Sequence, residues 1–134
     1  MPSANPEVLP LRSSEDVVAL RHAVRRRSIE VKLSLVDQTK LVTAASELGR
    51  NTVDYGGGGT VQIETVSNGA RMGIRLIFED HGPGIPDIEL ALRDGYTTGG
   101  GLGLGLGGAR RLVNEFHIES TVGVGTRVLI ARWR

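Results

Sequence analysis

The sequence predicts a single α+β domain, residues 1–134, in which helices cover one face of a mixed, mostly antiparallel sheet. Three observations support this prediction. Segments with helical spacing of apolar residues are interspersed with segments that alternate in the manner of strands. Two pairs of predicted strands are joined by short turn sequences. The chain of 134 residues is long enough for one core and contains no linker or repeat.

The composition excludes several classes of function. The chain is 40% hydrophobic and 23% charged with a net charge of +1, so neither nucleic acid nor an anionic membrane is expected as a partner. There is no cysteine, which excludes disulfides and thiolate metal sites. No apolar run approaches the roughly 20 residues of a membrane span, and residues 1–10 do not resemble a secretion signal. We therefore expect a cytoplasmic protein.

The first half of the chain predicts an arm, two helices and a strand. Residues 1–10 are polar and proline-rich and predict a loose arm. Residues 13–28 predict a helix capped by Ser13 or Ser14. Residues 29–33 alternate apolar and charged side chains, which predicts a short strand. Residues 37–56 predict a long helix that ends at Gly56. The apolar stripes of the two helices are Val17, Leu20 and Val24, and Leu41, Ala44, Ala45, Leu48 and Thr52.

The second half predicts two hairpins and two helices. Glycines 56–59 form a turn, and strands over residues 60–66 and 71–80 are joined at Asn68-Gly69, a strong hairpin signal. Residues 87–95 predict a short helix. A glycine-rich stretch leads into a helix that continues through Phe116. Residues 117–122 and 126–133 predict the last hairpin.

The motif "ELGRN" at residues 47–51 lies within the long predicted helix. The i,i+4 spacing places Glu47 and Asn51 on one face, one turn apart and beside the apolar stripe. A solvated polar face explains the pair when it is taken alone. A pocket at the edge of the buried face is the alternative.

The motif "DHGPG" at residues 80–84 follows a predicted strand. Asp80 ends the apolar row of Ile74, Leu76 and Phe78, where a carboxylate is costly unless it has a hydrogen-bonding partner. Gly82 and Gly84 leave room for a ligand to approach the backbone. An ordinary turn explains the motif equally well when it is taken alone.

The stretch "GGGLGLGLGG" at residues 99–108 precedes a predicted helix. A glycine-rich loop that opens a helix exposes backbone N–H groups and the positive end of the helix dipole, a combination that binds phosphate. Such a loop can also close over a ligand as a lid. A merely flexible loop would not require the alternating leucines, of which Leu104 and Leu106 are expected to reach the core.

Taken together, in this order and on these elements, the three motifs resemble the N, G1 and G2 boxes of the GHKL (Bergerat) ATP-binding fold. The phrases "SELGRNTVDYGGGG" and "GYTTGGGLGLGLGGARRLVNEF" are similar to those of the anti-sigma serine kinases, and in particular to the RsbT-type switch kinases of stressosome pathways. The resemblance extends over nearly the whole chain. It implies an ATP-dependent protein-serine kinase that uses Mg²⁺.

The resemblance also implies roles for individual residues. Glu47 would be the general base, and Asn51 would be a nucleotide contact and Mg²⁺ ligand. Asp80 would accept a hydrogen bond from the adenine amino group, with Gly82 and Gly84 closing on the base and ribose. Backbone amides of the lid would hold the β- and γ-phosphates. These amides would belong to Gly101, Leu102, Gly103, Leu104, Gly105, Leu106 and Gly107. Thr126 matches a family threonine near the adenine, and a plain strand residue is an equal alternative.

One departure concerns positive charge. Related kinases can place a basic residue in the lid, but no Lys or Arg occurs between Gly95 and Gly108. Arg93, Arg110 and Arg111 are the candidates within this chain. Otherwise the lid amides and Mg²⁺ suffice, or a partner protein contributes the charge.

Other polar residues have simpler explanations. His22 lacks the acidic neighbour of a phosphoacceptor histidine and is expected to be a structural or surface residue. His81 borders the predicted site without a catalytic role. The arginines at residues 25–27 are expected to form a solvated helix end, with a docking patch for an acidic partner as the alternative.

The resemblance implies a switch between partner proteins. The kinase would phosphorylate a STAS-domain antagonist and a STAS-containing stressosome scaffold, and after release it would activate a PP2C-type phosphatase. An anti-sigma factor that binds a sigma factor directly, countered by a STAS anti-antagonist, would share the same ATP site. An adaptor with a decayed pocket is the third alternative, and the intact Glu47, Asn51 and Asp80 argue against it.

Overall fold

The computed structural model describes residues 6–93 and 105–134. The strands and helices in chain order are β1 (Glu7–Leu11), α1 (Ser14–Glu30), α2 (Leu35–Asp54), β2 (Gly59–Asn68), β3 (Arg71–Asp80), α3 (Ile88–Ala91), α4 (Gly105–Arg111), β4 (Glu115–Thr121) and β5 (Gly125–Trp133). No helix in these two ranges combines the length and hydropathy needed to cross a bilayer.

The strands form one five-stranded sheet in the order β1-β2-β3-β5-β4. Every pairing between these described strands is antiparallel, where the sequence predicted a mixed sheet. The register pairs Asp80 at the end of β3 with Gly59 on one side and Thr126 on the other. The α+β class is confirmed, and the central strand delivers Asp80 to one end of the sheet.

The core lies between this sheet and helices α1 and α2. The apolar stripes predicted for both helices are buried, as is the row that leads along β3 to Asp80. At the start of α2, the Asp37 carboxylate accepts hydrogen bonds from Arg132 of β5, the shorter one from Nη2 at 2.6 Å. This guanidinium contact holds the pKa of Asp37 below its ordinary value. The ion pair fixes α2 against the last strand.

The strand predicted at residues 29–33 is wrong. Helix α1, capped by the Ser13 side chain, continues to Glu30, and a turn connects it to α2. Lys32 adopts a left-handed backbone angle (φ 63°), and the Leu33 amide donates to the Ser28 carbonyl at 3.0 Å. Residues 29 and 30 continue the helix, and the left-handed backbone angle of Lys32 reverses the chain. Val31 and Leu33 reach the core from this turn, so the apolar positions are buried without a strand.

The loose arm predicted at residues 1–10 is wrong over its last part. Residues from Glu7 onward form the edge strand β1, which pairs antiparallel with β2. Pro10 fits an edge strand because one side of that strand needs no ladder partner. The Glu7 carboxylate also accepts two hydrogen bonds from Arg26 Nη2, at 2.8 and 2.9 Å.

The solvated helix end predicted at residues 25–27 is wrong for Arg27, which is 2% exposed. Its guanidinium donates to the Ile63 carbonyl at 3.3 Å and to Thr65 Oγ1 at 3.0 Å, and it also contacts Glu7. A buried charge needs such partners, and here they connect α1 to β1 and β2.

Several element ends differ from the prediction, including both ends of α2, which spans Leu35–Asp54. The β2–β3 turn consists of Gly69 and Ala70, with Asn68 paired to Arg71, so it lies one residue later than expected. Helix α3 is shorter than predicted and ends at Ala91. Helix α4 ends at Arg111 rather than at Phe116, which lies in β4.

Candidate functional site

A cavity of about 370 Å³ opens between helix α2, the ends of β3 and β5, and the start of α4. One part of its wall is polar and is formed by α2 and Asp80. The other part is apolar and is formed by Leu48, Phe78, Ile85, Ala91, Leu106 and Val128. A concave apolar pocket with a few convergent polar groups is the usual form of a small-molecule site.

The first motif forms the α2 wall of this cavity. Glu47 and Asn51 both line it, as their i,i+4 spacing predicted. Glu47 is 8% exposed and Asn51 is half-buried. A carboxylate and an amide therefore line the same cavity. The position of the pair agrees with a pocket at the edge of the buried face and not with a solvated polar face.

The second motif places Asp80 in the cavity wall with its two oxygens in different situations. Oδ1 accepts hydrogen bonds from the backbone amides of Gly82 at 2.9 Å and Thr126 at 3.2 Å. Oδ2 accepts no hydrogen bond from any residue in the ranges 6–93 and 105–134. It lies beside Gly56, which also lines the cavity. Asp80 is thus held through Oδ1, while Oδ2 has no hydrogen-bond donor among the described residues.

Thr126 is placed where either of the roles left open by the sequence is possible, and a contact with adenine stays a prediction. It lines the cavity and is also part of strand β5. Its Oγ1 lies 2.7 Å from Ser120 Oγ, which in turn accepts from the Ile85 amide at 2.7 Å. This chain of hydrogen bonds connects the loop after β3 to the β4–β5 hairpin.

The glycines of the second motif serve close packing of the protein backbone. A Cβ at Gly82 would lie 2.6 Å from the Gly56 carbonyl oxygen, and Gly82 does not line the cavity. Gly84 does line it, at φ 80°, and a Cβ there would collide with the Thr121 backbone. Contact of either glycine with a base or ribose stays a prediction.

The third motif is described only from Gly105 onward. Gly105 and Leu106 line the cavity, and Leu106 is 8% exposed within the core, as expected. Gly107 does not line the cavity, because it packs against the Leu92 backbone. The predicted phosphate contacts at residues 101–104, including Leu104, lie outside the described residues.

The basic and histidine residues considered from the sequence lie away from the cavity. Arg93, Arg110 and Arg111 are exposed, and none of the three lines it. His22 on α1 and His81 after β3 are also exposed and do not line it. The exposure of His22 agrees with the expected surface residue, whereas His81 was expected to border the site and does not line the cavity.

Sequence reasoning missed several residues of the site, among them Gly56, Arg50 and Ser120. Gly56 was expected only to end a helix, yet it contacts Asp80. Arg50 lines the cavity although it is exposed, and Ser120 supports Thr126 from outside. Only Arg50 carried a usable signal, since it lies within "ELGRN", one residue before Asn51.

The sequence matches a known protein family and two known proteins over most of its length. Residues 36–133 match the family described as histidine kinase-, DNA gyrase B-, and HSP90-like ATPase. The chain is 44% identical over 118 residues to the serine/threonine-protein kinase RsbT of Bacillus subtilis (strain 168), covering 88% of this chain and 89% of that protein. It is 29% identical over 129 residues to the anti-sigma F factor of Clostridium novyi (strain NT), covering 91% and 89%.

Solved structures show the same fold. The RsbU and RsbW domains of a Mycobacterium tuberculosis protein match with a TM-score of 0.68 at 21% identity, covering 97% of this chain and 33% of that longer chain. The mycobacterial sensor histidine kinase MprB matches with a TM-score of 0.56 at 20% identity, covering 96% of each chain.

These findings confirm the predicted fold and the predicted enzyme class, an ATP-dependent serine/threonine-protein kinase. The motif on α2 that lines the cavity and the strand that carries Asp80 both lie inside the matched range. This chain belongs to the family of histidine kinase-, DNA gyrase B-, and HSP90-like ATPases.

Proposed function

We propose that this chain transfers the γ-phosphoryl group of ATP to a serine of a STAS-domain antagonist, and that the transfer switches its binding partner. The antagonist would hold the kinase until it is phosphorylated. The released kinase would then activate a PP2C-type phosphatase, and a STAS-containing stressosome scaffold would be a second substrate. The similarity to RsbT, a serine/threonine-protein kinase, supports the kinase step.

The observation that supports this proposal most directly is the difference in hydrogen bonding between the two carboxylate oxygens of Asp80. Oδ1 is held by two backbone amides, whereas Oδ2 accepts no hydrogen bond from the described residues, and Asp80 lines the cavity. An exocyclic amino group such as that of adenine would supply a donor for Oδ2. The neighbouring apolar wall, with Phe78 and Val128, suits the flat faces of a purine.

The α2 wall supports the chemistry at the other end of the nucleotide. Glu47 would accept the proton of the attacking serine hydroxyl, directly or through water. The serine oxygen would then bond to the γ-phosphorus as the bond from that phosphorus to the β–γ bridging oxygen breaks, which leaves ADP. This reaction needs mainly positioning and charge neutralisation, so Glu47 would be the one general base and the other groups of the site would position and neutralise the phosphates.

The donor set in the cavity fits Mg²⁺ bound partly by substrate. Among residues 6–93 and 105–134, no group of three or more His, Cys, Asp or Glu is arranged to hold a metal ion. Mg²⁺ commonly takes one or two protein oxygens and completes its shell with phosphates and waters. The side-chain oxygen of Asn51 would supply the protein ligand. When bound, the ion would neutralise charge on the phosphates.

The test is a phosphotransfer assay with labelled ATP, Mg²⁺ and purified STAS-domain proteins, followed by mapping of the modified residue. Asp80→Asn removes the free acceptor while it keeps the size of the side chain. We expect this variant to lose ATP binding in calorimetry and phosphotransfer in the assay, with an unchanged circular dichroism spectrum. Wild-type ATP affinity in Asp80→Asn would remove the adenine assignment.

The second candidate is an anti-sigma factor kinase that binds a sigma factor directly. Similarity to the anti-sigma F factor of Clostridium novyi supports it, although at 29% identity compared with 44% for RsbT. Pull-down of purified sigma factors in the presence of ATP separates the two functions. Tight sigma binding together with no binding of a PP2C-type phosphatase would favour this second function.

A further inference from the structure

Arg50 occupies an unusual position in the cavity wall. It lies on α2 between Glu47 and Asn51 and lines the cavity, yet its side chain is exposed. Its guanidinium forms no hydrogen bond or ion pair with any residue in the part of the chain that the structure describes. The group therefore stands at the cavity mouth with its donors available.

The absence of an ion pair is informative because acids surround Arg50 on the same helix. Glu47 lies three residues before it and Asp54 four residues after it, spacings at which Cβ atoms are about 5–6 Å apart. Both acids line the cavity as well. Arg50 thus lies at the mouth of the site, and neither neighbouring acid holds it in an ion pair.

The charges that line the cavity also favour a binding role for Arg50. Its described lining contains three carboxylates, on Glu47, Asp54 and Asp80, and a single cation, Arg50. Three carboxylates repel a polyanion, and none of the described lining residues except Arg50 opposes that repulsion. The glycine-rich stretch adds no cation, because it contains no Lys or Arg between Gly95 and Gly108.

We propose that Arg50 is a binding residue that contacts the terminal phosphate of the nucleotide. This inference rests on the proposed ATP-dependent kinase function and deepens it. The planar guanidinium presents paired donors that match phosphate oxygens, and it is always charged. Arg50 and Asn51, the proposed Mg²⁺ ligand, both line the α2 wall of the cavity, so the guanidinium and the bound ion would both contribute positive charge to the phosphate end of the site.

The experiment compares nucleotides that differ only in phosphate number. Affinities of Arg50→Gln and Arg50→Lys for ATP, ADP and AMP are measured by calorimetry with Mg²⁺, with Arg21→Gln as the matched control. Arg21 is an exposed arginine of α1, and no residue of α1 lines the cavity. We expect Arg50→Gln to lose about tenfold in ATP affinity and much less in AMP affinity, because it removes a charge-assisted hydrogen bond to phosphate. Arg50→Lys keeps the charge and is expected to fall between the wild type and Arg50→Gln.

Three outcomes would overturn the assignment. The first is an unchanged ratio of ATP to AMP affinity in Arg50→Gln. The second is an equal loss for all three nucleotides, which would indicate a general effect on the cavity. The third is a tenfold loss of ATP affinity in Arg110→Gln but not in Arg50→Gln, which would assign the charge to α4. A wild-type protein that binds no ATP would instead refute the proposed function, and the Arg50 assignment with it.

Discussion

Replacement of Gly56 by alanine tests whether the position of Asp80 controls nucleotide binding. A Cβ at Gly56 would lie 2.5 Å from both Cγ and Oδ2 of Asp80. Comfortable carbon contacts lie at about 3.5–4.0 Å, so the carboxylate has to move by roughly 1 Å or more. That movement weakens the hydrogen bonds that Oδ1 accepts from the amides of Gly82 and Thr126.

The magnitude follows from those two hydrogen bonds. Each contributes about 1–1.5 kcal/mol in a half-buried site, so Gly56→Ala should cost about 2–3 kcal/mol in the free energy of unfolding. For a domain of this size the melting temperature falls by roughly 6–15 °C. Because Oδ2 is displaced as well, ATP affinity should fall by at least about tenfold.

The assay is thermal unfolding followed by calorimetric titration with ATP, and Gly57→Ala is the control. Gly57 has a φ of 74°, and no atom of the described residues lies within 4 Å of a Cβ built there, so alanine adds about 1 kcal/mol of backbone strain without touching Asp80. We expect that control to be less stable with unchanged ATP affinity. Wild-type affinity in Gly56→Ala, or an equal loss in Gly57→Ala, would refute the reasoning.

Three further predictions address catalysis, pH dependence and loop packing. Glu47→Ala should keep ATP binding and lose phosphotransfer, because it removes the proposed base; turnover at the wild-type rate would require another base. Asp37→Asn should cost about 1–2 kcal/mol at neutral pH by weakening the contact with Arg132. Since the pKa of Asp37 is lowered from 3.8, that contribution is complete above this value and disappears as the pH falls through the lowered pKa. Urea unfolding across this range checks it, and a deficit that persists in strong acid would contradict it. Gly84→Ala should destabilise the fold by roughly 2–4 kcal/mol, since its Cβ meets the Thr121 backbone at a positive φ; an unchanged denaturant midpoint would argue against the packing described.

Sequence reasoning succeeded where one strong local signal determined the structure. The apolar row of β3 led to Asp80, and the helical spacing in α2 brought Glu47 and Asn51 to one wall. Both depend on periodicities that backbone geometry imposes on every helix and strand. The hairpin between β2 and β3 was found for a similar reason, since Gly69 allows the positive φ of its turn.

It failed where distant contacts decided the outcome. The strand β1 is short and contains Pro10, and its pairing with β2 cannot be detected from local sequence. Arg27 and its neighbours in the sequence look alike, although only Arg27 finds a carbonyl and a hydroxyl inside the fold. Arg50 lies within the "ELGRN" motif, but only the cavity beside it distinguishes it from other exposed helical arginines.

Hydrogen bonds between protein groups connect the loop after β3, Asp80 and the β4–β5 hairpin without a ligand. Ile85, Ser120 and Thr126 form one continuous set of hydrogen bonds, and the Thr126 amide continues it to Asp80. A site that is already ordered gives up little conformational entropy when its ligand arrives. Changes to the purine ring of a nucleotide should therefore alter its rate of departure far more than its rate of arrival.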